Sequence, residues 1–181
     1  MAKLTTAALA AHELGLAATF GGIVFGQAGL GPSVGVLRDE NDRSRVLDAA
    51  WRTYSFPKTL GLVAAAATWL IGRSVFSGRF LGKPMRRLVV AKDVALGITV
   101  LSGIGSQVCG QMLAKEQPFP VGAKGKPSPG APDRAAELTR ALSILGTVQM
   151  FAAGAALVLT SALNLQGQRN SVWRGVARLL P

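Results

Sequence analysis

AAHELGLAATFGG, residues 10–22, sets the only histidine of the chain, His12, beside Glu13 inside an otherwise apolar run. A working site, a structural ion pair and the ragged end of a membrane helix are the three readings such a placement allows. The run extends from about residue 7 to residue 31. That exceeds the ~20 residues a helix needs to cross a bilayer core. His12 and Glu13 therefore mark the opening of a membrane helix, and the glycines beyond them are contact points rather than turns.

Three more runs of this kind follow, at roughly 57–78, 88–111 and 141–164. Hydrophobic residues make up 49% of the 181 positions and charged residues 16%, against about 25% charged in soluble domains. The fold expected is all-α: an integral membrane four-helix bundle with little soluble mass. The first run is longer than the ~7–15-residue apolar core of a signal peptide, and only Lys3 flanks it, so it is expected to stay as a span. Cys109 stands alone and has no internal disulfide partner.

A net charge of +11 would suggest nucleic acid in a soluble protein. Its distribution points to lipid instead. Arg73, Arg79, Lys83, Arg86 and Arg87 fill the short connection between the second and third runs without an acid, and Arg169, Arg174 and Arg178 punctuate the tail, 165–181. The other connections mix bases with Asp39, Glu40, Asp42, Asp48, Glu116 and Asp133. Basic density in short loops sets orientation, so both termini are expected on the cytoplasmic side of a plasma membrane. The basic loop and tail would then face anionic lipid, with no nucleic-acid partner.

Two connections have character of their own. In the first, Val46, Leu47, Ala50, Trp51 and Tyr54 recur at helical spacing between Arg43, Arg45, Asp48 and Arg52. This pattern predicts an interfacial amphipathic helix with its aromatics at headgroup depth. The second, residues 115–134, holds five prolines and three glycines and reads as an extended, mobile strap.

Helices in lipid meet through small and polar residues, and each run carries such a stripe. They are Ala8, Ala11, Gly15, Ala18, Gly22 and Gly26; Gly61, Ala65, Thr68 and Gly72; Lys92, Thr99, Gly103, Ser106 and Gly110; and Gly146, Gln149, Ala153, Ala156 and Thr160. Lys92 should point into the bundle. Glu13 falls nearly opposite the first stripe, on the side of Phe20 and Val24, so the first helix is expected to contact neighbours on two sides. The pair Lys92-Asp93 opens the third run as His12-Glu13 opens the first, and Thr99 and Thr19 follow at the same spacing. That echo suggests two duplicated helical hairpins. It also predicts a polar cluster of His12, Glu13, Lys92 and Asp93 at one depth.

The residues present no signature of nucleophilic catalysis, no phosphate loop and no four-ligand zinc set, so no catalytic residue, metal or cofactor is expected from them. His12 could serve as a single axial haem ligand, with Met, Lys, water or a second protomer opposite. Its simpler role is to donate to Asp93 or to a backbone carbonyl. A second copy also makes a homo-oligomer one expected arrangement.

An early His12 followed by Phe20, Gly21, Gly22 and Phe25, together with Lys92 early in the third helix, resembles the small four-helix membrane proteins of the CopD/HemJ-like superfamily. The resemblance covers about half the chain. It implies protoporphyrinogen oxidation with haem on the HemJ side and copper handling on the CopD side, with His12 and Lys92 matching the recurrent His and Lys. The chain lacks the further histidines and methionines of copper handlers and sets Glu13 directly after His12. The leading expectation is a non-enzymatic or accessory membrane protein whose cluster orders the bundle and offers a ligand site. The alternatives are a haem-dependent membrane oxidoreductase and a small transporter with a wet path past Gln149 and Thr68.

Overall fold

A computed structural model describes residues 2–76 and 83–177, with side chains described over 7–72 and 85–166. Four long helices carry the chain: α1 (Ala2–Val24), α2 (Glu40–Phe76), α3 (Lys83–Ala114) and α4 (Asp133–Ala177). A π-helical turn (Phe25–Leu30) and two short turns continue α1 to Val36. The described residues contain no strand, only an isolated bridge between Val121 and Pro127. Three stretches are long and apolar enough to cross a membrane: Ala7–Val36, Met85–Ala114 and Asp133–Gln166. Arg79 and Arg178 lie outside the described residues, as do the side chains of Arg73, Lys83, Arg169 and Arg174.

The first connection differs from the separate interfacial helix its pattern predicts. Asp39 caps α2, its Oδ1 accepting from the backbone N–H of Asn41 (2.7 Å) and Asp42 (3.0 Å). From there α2 runs unbroken for 37 residues through Pro57. A mid-helix proline normally costs a backbone hydrogen bond and a clash, ~3 kcal/mol in all. Packing on both sides of Pro57 overrides it: Trp51 lies on Gly26, Tyr54 lies on Gly22 and Gly61 lies on Gly15, all of them on α1 and its π-helical extension. The tail behaves alike, its backbone continuing α4 as one helix to Ala177.

Glycines set the closest approach. A Cβ on Gly15 would sit 2.2 Å from the carbonyl oxygen of Gly61, so the α1 and α2 backbones are in direct contact. The Tyr54 hydroxyl donates to the carbonyl of Ala18 one turn further along. On its other side α1 meets α4, where Phe20 rests on Gly154 and Glu13 meets Asn164. Two-sided contact of the first helix follows the expectation drawn from Glu13. The third helix packs chiefly on α4. On α2, α3 and α4 inward positions follow the sequence stripes, with Ala65; Lys92, Thr99, Gly103 and Ser106; and Gln149, Ala153, Ala156 and Thr160 buried. On α1, by contrast, His12, Leu16, Thr19 and Ile23 are buried beside Gly15 and Gly26, and Ala18 of the stripe is exposed, because the glycines face α2 while the buried face turns to the centre of the bundle.

The echo between the first and third helices extends to burial. Positions 12–20 and 92–100 share the same succession of buried, half-buried and exposed residues. Thr19 and Thr99 are fully buried, and each donates to the carbonyl four residues back, Gly15 (2.9 Å) and Ala95 (2.8 Å).

The proline-rich connection is a folded cap, not the loose strap its composition predicts. Phe119 and Val121 are buried with Ala135 against Leu47 and Leu113. Arg43 donates through Nε (2.9 Å) and Nη2 (2.7 Å) to the Leu37 carbonyl and through Nη1 to that of Val121 (3.2 Å). The Val121 N–H donates to Glu40 (3.1 Å), and Ser44 donates to Gln117. Gly125, at φ +72°, closes the turn in a conformation that glycine adopts without strain. Compositional rules miss such a segment because two apolar side chains and one arginine suffice to hold it.

Two matched substitutions test the close approach. Gly15→Ala should destabilise the protein in detergent by about 1–3 kcal/mol through overpacking. Gly21→Ala, whose added Cβ meets nothing within 4 Å, should be neutral or stabilising by up to ~1 kcal/mol. Thermal unfolding of the pair reads the difference. For the cap, Arg43→Ala should raise the rate of limited proteolysis within 115–132 while leaving cleavage elsewhere unchanged.

Candidate functional site: a polar cluster around Trp69

Three helices deliver the predicted residues to one indole. His12 of α1 stacks on Trp69 of α2, with ring centroids 5.9 Å apart and planes at 30°. Lys92 of α3 sets its ammonium 4.0 Å over the same ring. Its neighbour Asp93 accepts a hydrogen bond from Trp69 Nε1 at 2.7 Å. Glu13 lies off the ring, accepting from Asn164 Nδ2 of α4 at 2.9 Å, and its charge attracts the Lys92 ammonium as that of Asp93 does. His12, Lys92 and Asp93 are thus joined through Trp69, while Glu13 ties α1 to α4.

The histidine is held by the main chain. His12 Nδ1 donates to the Ala65 carbonyl at 2.7 Å, so the neutral ring carries its proton on Nδ1. Thr68 is 3.4 Å from the same nitrogen and donates to the Ala64 carbonyl at 2.6 Å. That leaves Nε2, a lone-pair acceptor, buried and without a hydrogen-bond partner. His12 is only 3% exposed and Lys92 only 2%, so both belong to the interior. Of the two donor roles weighed for His12, that to a backbone carbonyl is the one realised. Lys92 meets an aromatic face, and the charges of Glu13 and Asp93 act on it from a distance.

The arrangement offers an acceptor at His12 Nε2 and a cation at Lys92 against the same aromatic ring. A cation held on an indole face gains ~2 kcal/mol or more when desolvated. Trp69 is the residue that reading by motif overlooks, because its partners lie on two other helices. A usable signal exists: on an antiparallel α2, residue 69 falls near the same membrane edge as residues 12 and 92, one position after Thr68 of the small stripe.

A second group of polar residues lies deeper along the bundle. Gln149 is fully buried and donates from Nε2 to the Thr99 carbonyl at 3.2 Å, while its Oε1 has no partner. Ser106 Oγ is likewise buried and unpartnered.

No family model matches this chain, and neither a curated protein nor a solved structure matches it.

The indole's two roles are separable by substitution. Trp69→Phe keeps an aromatic face for Lys92 and removes the N–H, and loss of a hydrogen bond to a charged group should cost about 1.5–3 kcal/mol. Trp69→Leu removes the face as well and should cost more. Unfolding in detergent that ranks the two variants equally would show that the face contributes nothing.

Proposed function

We propose that the chain is a four-span plasma-membrane protein with both termini in the cytoplasm, and that the Trp69 cluster binds a small ligand rather than catalysing a reaction. Three spans follow from composition; the fourth is the second half of α2. Its outward residues Phe56, Leu60, Val63, Leu70 and Ile71 are all exposed and apolar. They match the exposed Val90, Val94, Ile98, Leu101, Ile104 and Val108 of α3 and the exposed Ile144, Val148, Phe151, Val158 and Leu165 of α4. Exposed charges bound this belt, Arg86 and Arg87 at one edge and Arg52 and Arg140 at the other. An apolar surface of that extent is suited to lipid and not to water. The matching burial of 12–20 and 92–100 supports reading α1–α2 and α3–α4 as two related hairpins.

The observation that carries the ligand site is His12 Nε2: a buried acceptor with no partner, on a ring fixed by its other nitrogen. Buried polar atoms are ordinarily hydrogen-bonded. A ligand presenting a hydrogen-bond donor to Nε2 and negative charge toward Lys92 would complete both residues. The same observation favours one second reading. Ligating histidines commonly donate their other ring N–H to a carbonyl, as His12 does to Ala65, so the donor atom fits haem. His12 would hold the iron, and the group would supply redox chemistry.

Topology is read by single cysteines in a Cys109→Ser background: Arg52→Cys should label from outside the cell and Arg86→Cys only after permeabilisation. Labelling of both from one side would rule out the fourth span. The site is read by native mass spectrometry of protein extracted from its membrane. Wild type should carry a small-molecule adduct that His12→Ala and Lys92→Met lose. A haem-mass adduct with a Soret band selects the second reading, and adduct-free wild type overturns both.

A further inference from the structure

We propose that Arg86 and Arg87 seat the headgroup of one anionic phospholipid, with an acyl chain laid along the exposed face of α3 beneath them. A groove of about 480 Å³ opens against this end of the helix, and the described residues that line it are Arg86, Arg87, Val90 and Ala91. Arg86 stands one turn before Val90 and Arg87 one turn before Ala91, so two cations cap two apolar positions. All four residues are exposed. The assignment rests on the lipid belt proposed above, whose edge these arginines mark.

Neither guanidinium has a hydrogen bond or an ion pair among the described residues. At the opposite end of the bundle Arg43 pairs with Glu40, Arg45 with Asp42, Arg52 with Asp48 and Arg134 with Glu116. There the chain supplies its own counter-charge. For Arg86 and Arg87 no described residue does.

Helix geometry turns the pair toward the headgroups. Side chains on an α-helix lean toward its N-terminus, and α3 begins at Lys83, just before the two arginines. The guanidiniums therefore reach out of the hydrocarbon while Val90 and Ala91 remain in it. Beyond them the exposed face continues through Val94, Ile98 and Leu101. It is open at Gly97, where a Cβ would meet nothing within 4 Å. From Val90 to Leu101 the helix rises about 16 Å, which matches one leaflet's half of a ~30 Å hydrocarbon core. Charge at the edge followed by one leaflet's depth of apolar surface is the outline of a single lipid.

Chemistry selects the lipid class. A guanidinium grips phosphate oxygens through two parallel, charge-assisted hydrogen bonds. A phosphodiester can accept from both arginines at once. A zwitterionic headgroup adds an ammonium that the two arginines repel, so a headgroup of net negative charge is favoured.

The experiment is native mass spectrometry of the delipidated full chain in detergent, titrated with phosphatidylglycerol or with phosphatidylcholine of the same acyl chains. Wild type should take up one phosphatidylglycerol at a concentration about tenfold below that needed for phosphatidylcholine. Arg86→Gln/Arg87→Gln should lose this preference. Ala91→Leu, which fills the groove without changing charge, should need several-fold more lipid. Arg45→Gln/Arg134→Gln, an equal loss of charge where acids are at hand, should behave as wild type does. Equal uptake of the two lipids by wild type overturns the proposal, as does an undiminished preference in Arg86→Gln/Arg87→Gln. Unchanged uptake by Ala91→Leu, or a lost preference in Arg45→Gln/Arg134→Gln, would reduce the effect to general charge and overturn the site as drawn. Displacement of the lipid by an equal concentration of glycerol 3-phosphate would assign the arginines to a free phosphate. A dimer in lipid-free detergent that Arg86→Gln/Arg87→Gln abolishes would assign the face to a second copy of the chain, and either result overturns the proposal. Uptake from detergent does not depend on which side of the membrane Arg86 faces, so the cysteine labelling described above and this titration fail independently.

Discussion

The contact between Gly15 and Gly61 governs the rest of the bundle. With no Cβ on either residue, the α1 and α2 backbones touch, and the next turn on each helix is brought into register. His12 lies three residues before Gly15, and Ala65 lies four residues after Gly61, so the imidazole arrives 2.7 Å from a main-chain carbonyl. Ala65 accepts this bond in addition to its helical one, since a carbonyl has two lone pairs. Tautomer, ring orientation and the position of Trp69 beneath the ring all follow from that spacing. A side chain at Gly15 would separate the helices and release His12.

Trp69 resolves a second difficulty, the burial of two adjacent opposite charges. An indole has a negative face and a positive edge. Lys92 takes the face and Asp93 takes the N–H at the edge, so consecutive residues of α3 use complementary parts of one ring. A desolvated cation–π contact of ~2 kcal/mol offsets most of the ~2.5–3.5 kcal/mol insertion penalty for a lysine. The hydrogen bond to a carboxylate adds stability of similar size. A lysine-to-acid contact alone would have left the indole N–H to find another partner in an apolar interior.

Much of this was legible in the residues. Small and polar stripes located the inward faces of α2, α3 and α4 and the face of α1 that meets α2, because in lipid those residues are what allow helices to meet. The equivalence of His12 and Lys92 was legible in the echo of the two dipeptides and of the threonines that follow them. Three features were not. Pro57 reads locally as a boundary, yet Trp51 and Gly61 pack on the same helix on either side of it and keep α2 continuous. The strap reads as mobile, yet Phe119 and Val121 find an apolar seat that only the folded chain creates. Trp69 escapes notice because its partners lie on two other helices, and no spacing rule connects residues 12, 69 and 92.

What distinguishes the interior is where its hydrogen bonding is incomplete. Thr19, Thr99, Ser102 and Thr160 each donate to a carbonyl of their own helix, which satisfies them without help from a neighbour. Among the described residues, the fully buried side-chain atoms left over are His12 Nε2, Ser106 Oγ and Gln149 Oε1. They fall at two heights. Between them Leu16, Ala65, Ala95, Leu96 and Ala156 close into an apolar cluster. Thr68, beside His12, and Gln149, beside Thr99, are therefore separated by packed hydrocarbon in this conformation. A continuous wet path past Thr68 and Gln149 would require that layer to part. Unless it does, the two groups of unpartnered atoms stay separate.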